Sequence, residues 1–203
     1  MNLRFSPLPG SAWWQRWLLL ALILLAFGRV TWRLGAQNFW WDESLSLQRA
    51  EQGWWPLIRG ELVLKDGFSE LMTIDQHPFF SFLLQGVLVR LAGESEYVVR
   101  FPAAAAATLL VPALWALGGR LVKQGAVPAS TPYWAALLAA VNPFYLWYGQ
   151  EGRPYALWAL LAVLSTYLLL RMLAHKPLRP VEVAGYGLTL VAFLATHYLG
   201  VFL

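Results

Sequence analysis

Two carboxylates in succession, Asp42 and Glu43, follow Phe39-Trp40-Trp41 at the point where the first long apolar stretch gives way to a polar loop. A carboxylate can take the proton from an attacking hydroxyl while its neighbour orients it or binds a cation. Two further polar groups supply complementary chemistry, Asp75-Gln76-His77-Pro78 and Gln150-Glu151-Gly152-Arg153. A His or Arg beside the same point stabilises phosphate oxygens, because a guanidinium meets phosphate as a two-pronged donor. These are the parts needed to move a group from a lipid phosphate to a hydroxyl or amine. No nucleotide pocket is required when the leaving group is the lipid phosphate itself.

The elements that position these residues are membrane helices. Hydrophobic residues make up 59% of the 203-residue chain and charged residues only 13%, with a mean hydropathy of +0.51, whereas roughly a quarter of a soluble domain is charged. Twelve Trp and eight Tyr, several of them flanking the apolar runs, match the aromatic belts of bilayer interfaces. The absence of Cys excludes disulfides and thiolate metal sites. A formal charge of +4, scattered along the chain, gives no footprint for nucleic acid.

Apolar runs cover about 13–34, 78–92, 101–121, 132–148, 155–170 and 181–203. The run from Pro78 is short for a span, which needs about 20 residues. His77, Ser81 and Gln85 fall along one side of it at i, i+4 spacing, as in an interfacial helix that turns a polar stripe toward a site. Charge gives an independent test. If this run lies flat, Arg4, Arg16, Arg120, Lys123, Arg171, Lys176 and Arg179 share the side of the N-terminus, which is then cytoplasmic by the positive-inside rule. If it spans, most of them invert. The expected fold is therefore an all-α integral membrane protein with about five transmembrane helices, a signal anchor as the first, and a large extracytoplasmic loop over about 36–100 bearing interfacial helices. Nine of the eleven acids lie in that loop, and the turn 149–154 faces the same compartment. Arg29 and Arg33, at the outer end of the first span, run against the charge bias. The alanine run 103–107 is suited to close helix packing.

Each motif also has a purely structural reading. Asp42 is a good N-cap for the segment that follows it, and His77-Pro78 is a helix start with Pro in the first turn. Glu151 and Arg153 can pair between helix ends, and His197 can be a packing residue near the end of the last span.

Taken in order, the motifs resemble the N-terminal half of a bacterial membrane glycosyltransferase. They are Trp41-Asp42-Glu43, the stretch from His77 to Leu84, the stretch from Gly93 to Pro102, Asn142-Pro143-Phe144, Tyr148 to Leu157, and Thr196-His197-Tyr198-Leu199-Gly200. The family is that of the protein O-mannosyltransferases and the aminoarabinose lipid A transferase, within the GT-C superfamily. The resemblance implies a polyprenyl-phosphate sugar donor, an extracytoplasmic acceptor (lipid, glycan or protein), inversion at the anomeric carbon, and a multi-pass enzyme of the bacterial inner membrane with its site facing outward. By carry-over, Asp42 is the base, Glu43 supports it, and His77 lies near the donor phosphate or the acceptor. Arg100 and Arg153 are candidates for the phosphate, with Gln150, Glu151 and His197 as further substrate-binding candidates. A divalent metal is compatible with the acids but not required, since Arg and His can neutralise the phosphate.

The chain departs from the family pattern where it has His77-Pro78-Phe79 in place of His-Pro-Pro, and Gly149, Gly152 and Pro154 around Glu151 and Arg153. It also stops within an apolar run, so residues 1–203 are expected to be the N-terminal part of a longer transferase domain. Two other readings stay open: a non-catalytic membrane module such as a transporter fragment or assembly subunit, and a ligase that moves a glycan from polyprenyl diphosphate.

Overall fold

The computed structural model of the chain describes residues 13–65, 70–174 and 177–202. Arg4 and Lys176, which entered the charge reading above, and Asp66, one of the nine loop acids, lie outside them. Among the described residues three helices are long and apolar enough to cross a membrane: α1 (Trp13–Thr31), α5 (Glu96–Lys123) and α8 (Tyr155–Met172). Three apolar helices are shorter: α4 (Phe80–Ala92), α6 (Thr131–Val141) and α9 (Pro180–Leu194). The apolar run expected as one span over 132–148 is two helices, α6 and α7 (Pro143–Gly149). The chain breaks at Asn142-Pro143. Pro143 cannot donate to the preceding turn, and the Asn142 side chain accepts from Phe144 N at 2.8 Å, capping α7 instead.

At 28 residues α5 is the longest helix, and α1, α4, α6, α7 and α8 all pack on it. Its alanine run supplies Ala103, Ala104, Ala106 and Ala107 to a core shared with Val30, Leu34, Leu157, Leu160 and Phe193. A second core joins Leu22 and Ala26 of α1 to Val111 and to Ala136, Ala139 and Ala140 of α6. Between helices in lipid, small residues let backbones approach, so dispersion contacts do the work that the hydrophobic effect does in water. Gly149 marks the tightest approach: a Cβ there would sit 2.6 Å from Val30 Cγ2 and 2.8 Å from the Ala107 Cβ.

The segment between α1 and α5 leaves and returns at the same end of the bundle. Arg100, in the first turns of α5, donates to the carbonyl of Leu34, just past α1. α4 therefore does not carry the chain across, as the charge pattern predicts. At the opposite end Gln15 donates to the Tyr133 hydroxyl, Arg120 to Leu170 O, and Arg171 pairs with Glu182. Arg16, Arg120, Lys123, Arg171 and Arg179 thus collect at one end and the acidic loop at the other.

That loop holds α2 (Trp41–Glu51), α3 (Trp54–Arg59) and a two-stranded hairpin that departs from the all-helical expectation. β1 (Glu61–Lys65) pairs antiparallel with β2 (Glu70–Ile74), Glu61 opposite Ile74 and Lys65 opposite Glu70. Leu62-Val63-Leu64 and Met72-Thr73-Ile74 are strand-forming sequences. Gly60, in the left-handed region at φ 76° and with Asp75 O only 2.8 Å from where a Cβ would lie, brings the chain into the hairpin.

Candidate active site

α2 begins at Trp41, so Asp42 and Glu43 occupy its first turn, where negative charge complements the helix dipole; Arg49 in the last turn complements the other end. Asp42 is therefore not the N-cap. Glu43 instead reaches back toward the Trp40 N–H, at 3.5 Å. The two acids have opposite environments.

Glu43 is fully buried. Arg100 Nε donates to its Oε1 at 2.8 Å and Arg100 Nη2 to its Oε2 at 2.6 Å, while Gly152 N donates to Oε1 at 2.7 Å. The remaining Arg100 donors go to the carbonyls of Leu34 (2.8 Å), Gln37 (2.9 Å) and Asn38 (3.2 Å). A guanidinium has five N–H groups, and here all are taken up in joining α1, α2 and α5. Gln85 of α4 completes the junction by donating to Val99 O (3.1 Å) and Gly152 O (2.9 Å). Of the polar stripe expected along this helix, Gln85 holds the turn, His77 precedes α4, and the buried Ser81 Oγ has no hydrogen-bond partner among the described residues. A Cβ on Gly152 would lie 3.0 Å from Val99 Cγ1, which accounts physically for glycine at this position. Gln150 donates to the carbonyls of Val30 (3.2 Å) and Trp32 (3.1 Å) and so closes the end of α1.

Asp42 is open, with its side chain 39% exposed and its Oδ2 3.8 Å from Arg153 Nη2. Arg153 is buried, directs Nη1 at Asp42 O (3.4 Å) and Ser46 Oγ (3.3 Å), and keeps an Nε without a hydrogen-bond partner. Arg153 Nη2 also lies 3.4 Å from His77 Nε2. The other ring nitrogen, Nδ1, is 2.9 Å from Asp75 Oδ1. A proton on Nδ1 satisfies both contacts: Nδ1–H donates to Asp75 and the Nε2 lone pair faces the guanidinium. Behind them Arg49, 1% exposed, donates to Asp75 Oδ2 (3.0 Å), His77 O (2.8 Å) and Leu57 O (2.9 Å), with its guanidinium over the Phe82 ring. The line Asp42, Arg153, His77, Asp75, Arg49 is one alternating chain of charge and hydrogen bonds.

His197, from beyond α9, meets His77 edge-on and lies against Trp158 and Tyr155. Burial, with the nearby His77 and Arg153, pushes its imidazole below the usual range, favouring the neutral ring. Glu43 and Arg100 also line a cleft of about 350 Å³, together with Gln37, Asn38, Trp40, Trp147 and Glu151. Burial holds the Glu151 carboxyl above its ordinary range, against a hydrogen bond from Trp147, and the charges of Glu43 and Asp42 push the same way while Arg153 opposes them. Glu151 therefore accepts a proton more readily than a free glutamate. Among the described residues no group of three His, Asp or Glu is arranged to hold a metal ion.

The sequence-predicted residues thus converge: Asp42, His77, Arg153 and His197 form one connected group, and Gln150 and Glu151 line a cleft with the Glu43–Arg100 pair. Sequence reasoning missed Arg49, Ser46 and the Trp40–Trp147 walls. Glu43, Ser46 and Arg49 are all buried on α2 at i, i+3, i+6. A charged residue in register with the acid on a helix that otherwise packs inward is the available signal.

Asp75 gives the site a pH signature. Burial alone raises its carboxyl, but the His77 side-chain and backbone hydrogen bonds and the Arg49 contact outweigh that and hold it at about 2. A depressed folded-state value stabilises the fold above the unfolded value and loses that contribution as pH falls through the folded one; here the difference is worth about 2 kcal/mol, released from about pH 5 downward. Asp75→Asn should remove this part of the acid transition in unfolding monitored between pH 7 and pH 2. An unchanged transition in the variant would contradict the assignment.

Comparison with known proteins adds one finding. The sequence model of the dolichyl-phosphate-mannose-protein mannosyltransferase family matches residues 76–202, more than half of the chain. The match takes in His77, Arg100, Gln150, Glu151, Arg153 and His197, and Asp42 and Glu43 lie upstream of it. No curated protein and no solved structure matches the chain.

Proposed function

Because the chain belongs to the dolichyl-phosphate-mannose-protein mannosyltransferase family, whose members are membrane glycosyltransferases, we propose that it transfers a sugar from a polyprenyl-phosphate donor to an extracytoplasmic acceptor by direct displacement. The observation that carries the reading is the pairing of an open carboxylate, Asp42, with the guanidinium of Arg153, 3.8 Å away and in contact with His77. In the reaction, Asp42 takes the proton of the acceptor hydroxyl or amine. The acceptor atom bonds to the anomeric carbon, the carbon–oxygen bond to phosphate breaks, and its electron pair leaves with the polyprenyl phosphate. Configuration inverts, and the phosphate charge develops beside Arg153, which His77 and Asp75 hold in place.

Glu43 has a different part. Both of its oxygens are occupied, so it positions rather than deprotonates, and Arg100 serves as its partner rather than as a phosphate ligand. Glu151, in the Trp-lined cleft, offers a carboxyl group that can hydrogen-bond a sugar hydroxyl. The enzyme sits in the bacterial inner membrane with this site outward, a reading supported by the cluster of Arg and Lys at the far end of the bundle. Sugar transfer by Asp42→Asn from a polyprenyl-phosphate donor is the test, and undiminished transfer overturns the mechanism.

A further inference from the structure

Arg49 stands at the far end of the charge chain from Asp42, and at 1% exposure its side chain cannot meet a substrate. Burial pulls its guanidinium below the ordinary range, and the hydrogen bond and charge of Asp75 oppose that pull. A charge buried in this way is costly unless good geometry and a counter-charge compensate it. Here one nitrogen, Nη1, serves both Asp75 Oδ2 (3.0 Å) and His77 O (2.8 Å), while Nε goes to Leu57 O. Gly60 leaves room for the group, since a Cβ there would lie 3.4 Å from Arg49 Nη2.

The consequence falls on His77. Its backbone N–H donates to Asp75 Oδ1 at 2.9 Å, its ring Nδ1 lies 2.9 Å from the same oxygen, and its carbonyl accepts from Arg49. Three of its four polar atoms are therefore fixed by two residues that are themselves paired. The fourth, Nε2, is left facing Arg153 Nη2 at 3.4 Å. With the ring proton on Nδ1 the Nε2 lone pair accepts from the guanidinium, whereas a proton on Nε2 would set one N–H against another. Arg153 reaches back to α2 through Nη1, toward Asp42 O (3.4 Å) and Ser46 Oγ (3.3 Å). Asp42, Ser46 and Arg49 follow at i, i+4 and i+7, on one side of α2. The chain of contacts is thus a ring, in which α2 holds Arg153 directly from its first turns and, through Asp75 and His77, from its last.

We infer that Arg49 is a positioning residue for sugar transfer: by pinning Asp75 and the His77 carbonyl it fixes the His77 ring as the Nδ1–H tautomer, and that ring fixes the Arg153 guanidinium opposite Asp42. The catalytic consequence rests on the transfer reaction proposed above, and the effect on His77 rests on geometry alone. Without Arg49, Asp75 Oδ2 and the His77 carbonyl lose their donor, the ring is free to turn, and Arg153 loses an acceptor. The groups that face His77 are Asp75 beside it, Arg49 from α2, Arg153 from the turn ahead of α8, and His197 from beyond α9. His197 provides an internal contrast. Its Nδ1 accepts from Leu199 N at 3.2 Å, which puts its proton on Nε2.

The test uses the full chain in nanodiscs, with histidine side-chain nitrogens read by NMR in mildly alkaline buffer, where an ordinary imidazole is neutral. The chain has three histidines, and the His77 signals are assigned by their loss in His77→Gln. Wild type is expected to show His77 as a single species with its proton on Nδ1. Arg49→Gln, which removes the charge, should lose that single species. In the transfer assay it should lower kcat by about tenfold to 100-fold, the scale of a small misplacement at a reacting centre, with KM for the polyprenyl-phosphate donor nearly unchanged, as for an interaction made in the transition state. Arg49→Lys keeps a charged nitrogen for Asp75 and His77 O and should restore both the tautomer and most of kcat. A role confined to folding would lower the unfolding temperature of both variants and leave tautomer and kcat alone. The inference is overturned by a folded Arg49→Gln that keeps the wild-type tautomer, by one that loses it yet turns over at the wild-type kcat, or by Arg49→Lys as impaired as Arg49→Gln. A wild-type His77 with its proton on Nε2 also overturns it, and that spectrum needs no variant to fold. A wild-type chain that transfers no sugar sinks the proposed function, while the NMR comparison still decides whether Arg49 sets His77.

Discussion

Asp42→Asn is expected to lower sugar transfer by about 10²- to 10⁴-fold, the range that a positioned general base contributes, with the protein still folded. The substitution keeps the size of the side chain and exchanges the proton-accepting oxygen for an amide. Nothing in the core depends on that oxygen: the Asp42 carboxylate lies 3.8 Å from Arg153, and it is the Asp42 backbone carbonyl, unaffected by the change, that receives Ser46 Oγ at 2.8 Å and Arg153 Nη1 at 3.4 Å. Transfer of labelled sugar in membranes, set beside thermal unfolding of the same preparation, separates the two effects. A variant that unfolds at the wild-type temperature but transfers at the wild-type rate would remove Asp42 from the chemistry.

The neighbouring acid should behave in the opposite way. Arg100→Ala strips Glu43 of two charge-assisted bonds and leaves three carbonyls, those of Leu34, Gln37 and Asn38, without their donors. Breaking a buried ion pair by removing one partner costs about 3 to 5 kcal/mol. The loss should appear as a large fall in unfolding temperature and in yield, whatever happens to activity. Glu43→Gln should destabilise in the same sense, because a buried guanidinium is then left without its counter-charge. Combining Glu43→Gln with Arg100→Gln should cost less than the sum of the two singles, the sign of direct coupling. Single substitutions that cost under about 1 kcal/mol, as exposed pairs do, would place this contact at the surface and contradict the burial on which the site's architecture depends.

Much of the membrane architecture was legible because polarity in an apolar chain is costly and therefore conspicuous. The Asp42-Glu43 doublet, the loop that follows it and the turn at Gln150–Arg153 stand out as breaks between hydrophobic runs, and the scatter of Arg and Lys is enough to keep α4 from crossing. The pairing of charges was not legible in the same way. Glu43 and Arg100 are far apart in the chain, and nothing local separates an arginine that holds a carboxylate from one that awaits a phosphate. Gln150 carries the same ambiguity: an amide at the mouth of a site reads as a ligand group, yet its N–H groups are given to the carbonyls that end α1. Arg49 was invisible because the groups that bury it, Leu57, Asp75, His77 and Phe82, come from separate later segments. The hairpin itself is held by partners on either side of Gly60 and Asp75, and the break at Asn142-Pro143 falls inside a stretch whose hydrophobicity alone suggests an unbroken helix.

The central claim is that the acidic first turn of α2 and the turn ahead of α8 face the same compartment and form one site. The chain has no cysteine, so single-cysteine variants report position without background. Trp41→Cys and Trp147→Cys replace exposed side chains on either side of the site, 65% and 67% accessible, and Gln124→Cys marks the far end of α5. Reacting intact cells with a membrane-impermeant maleimide should label positions 41 and 147 alike and reach position 124 only after permeabilisation. Labelling of 41 and 147 from opposite faces of the membrane would contradict the account.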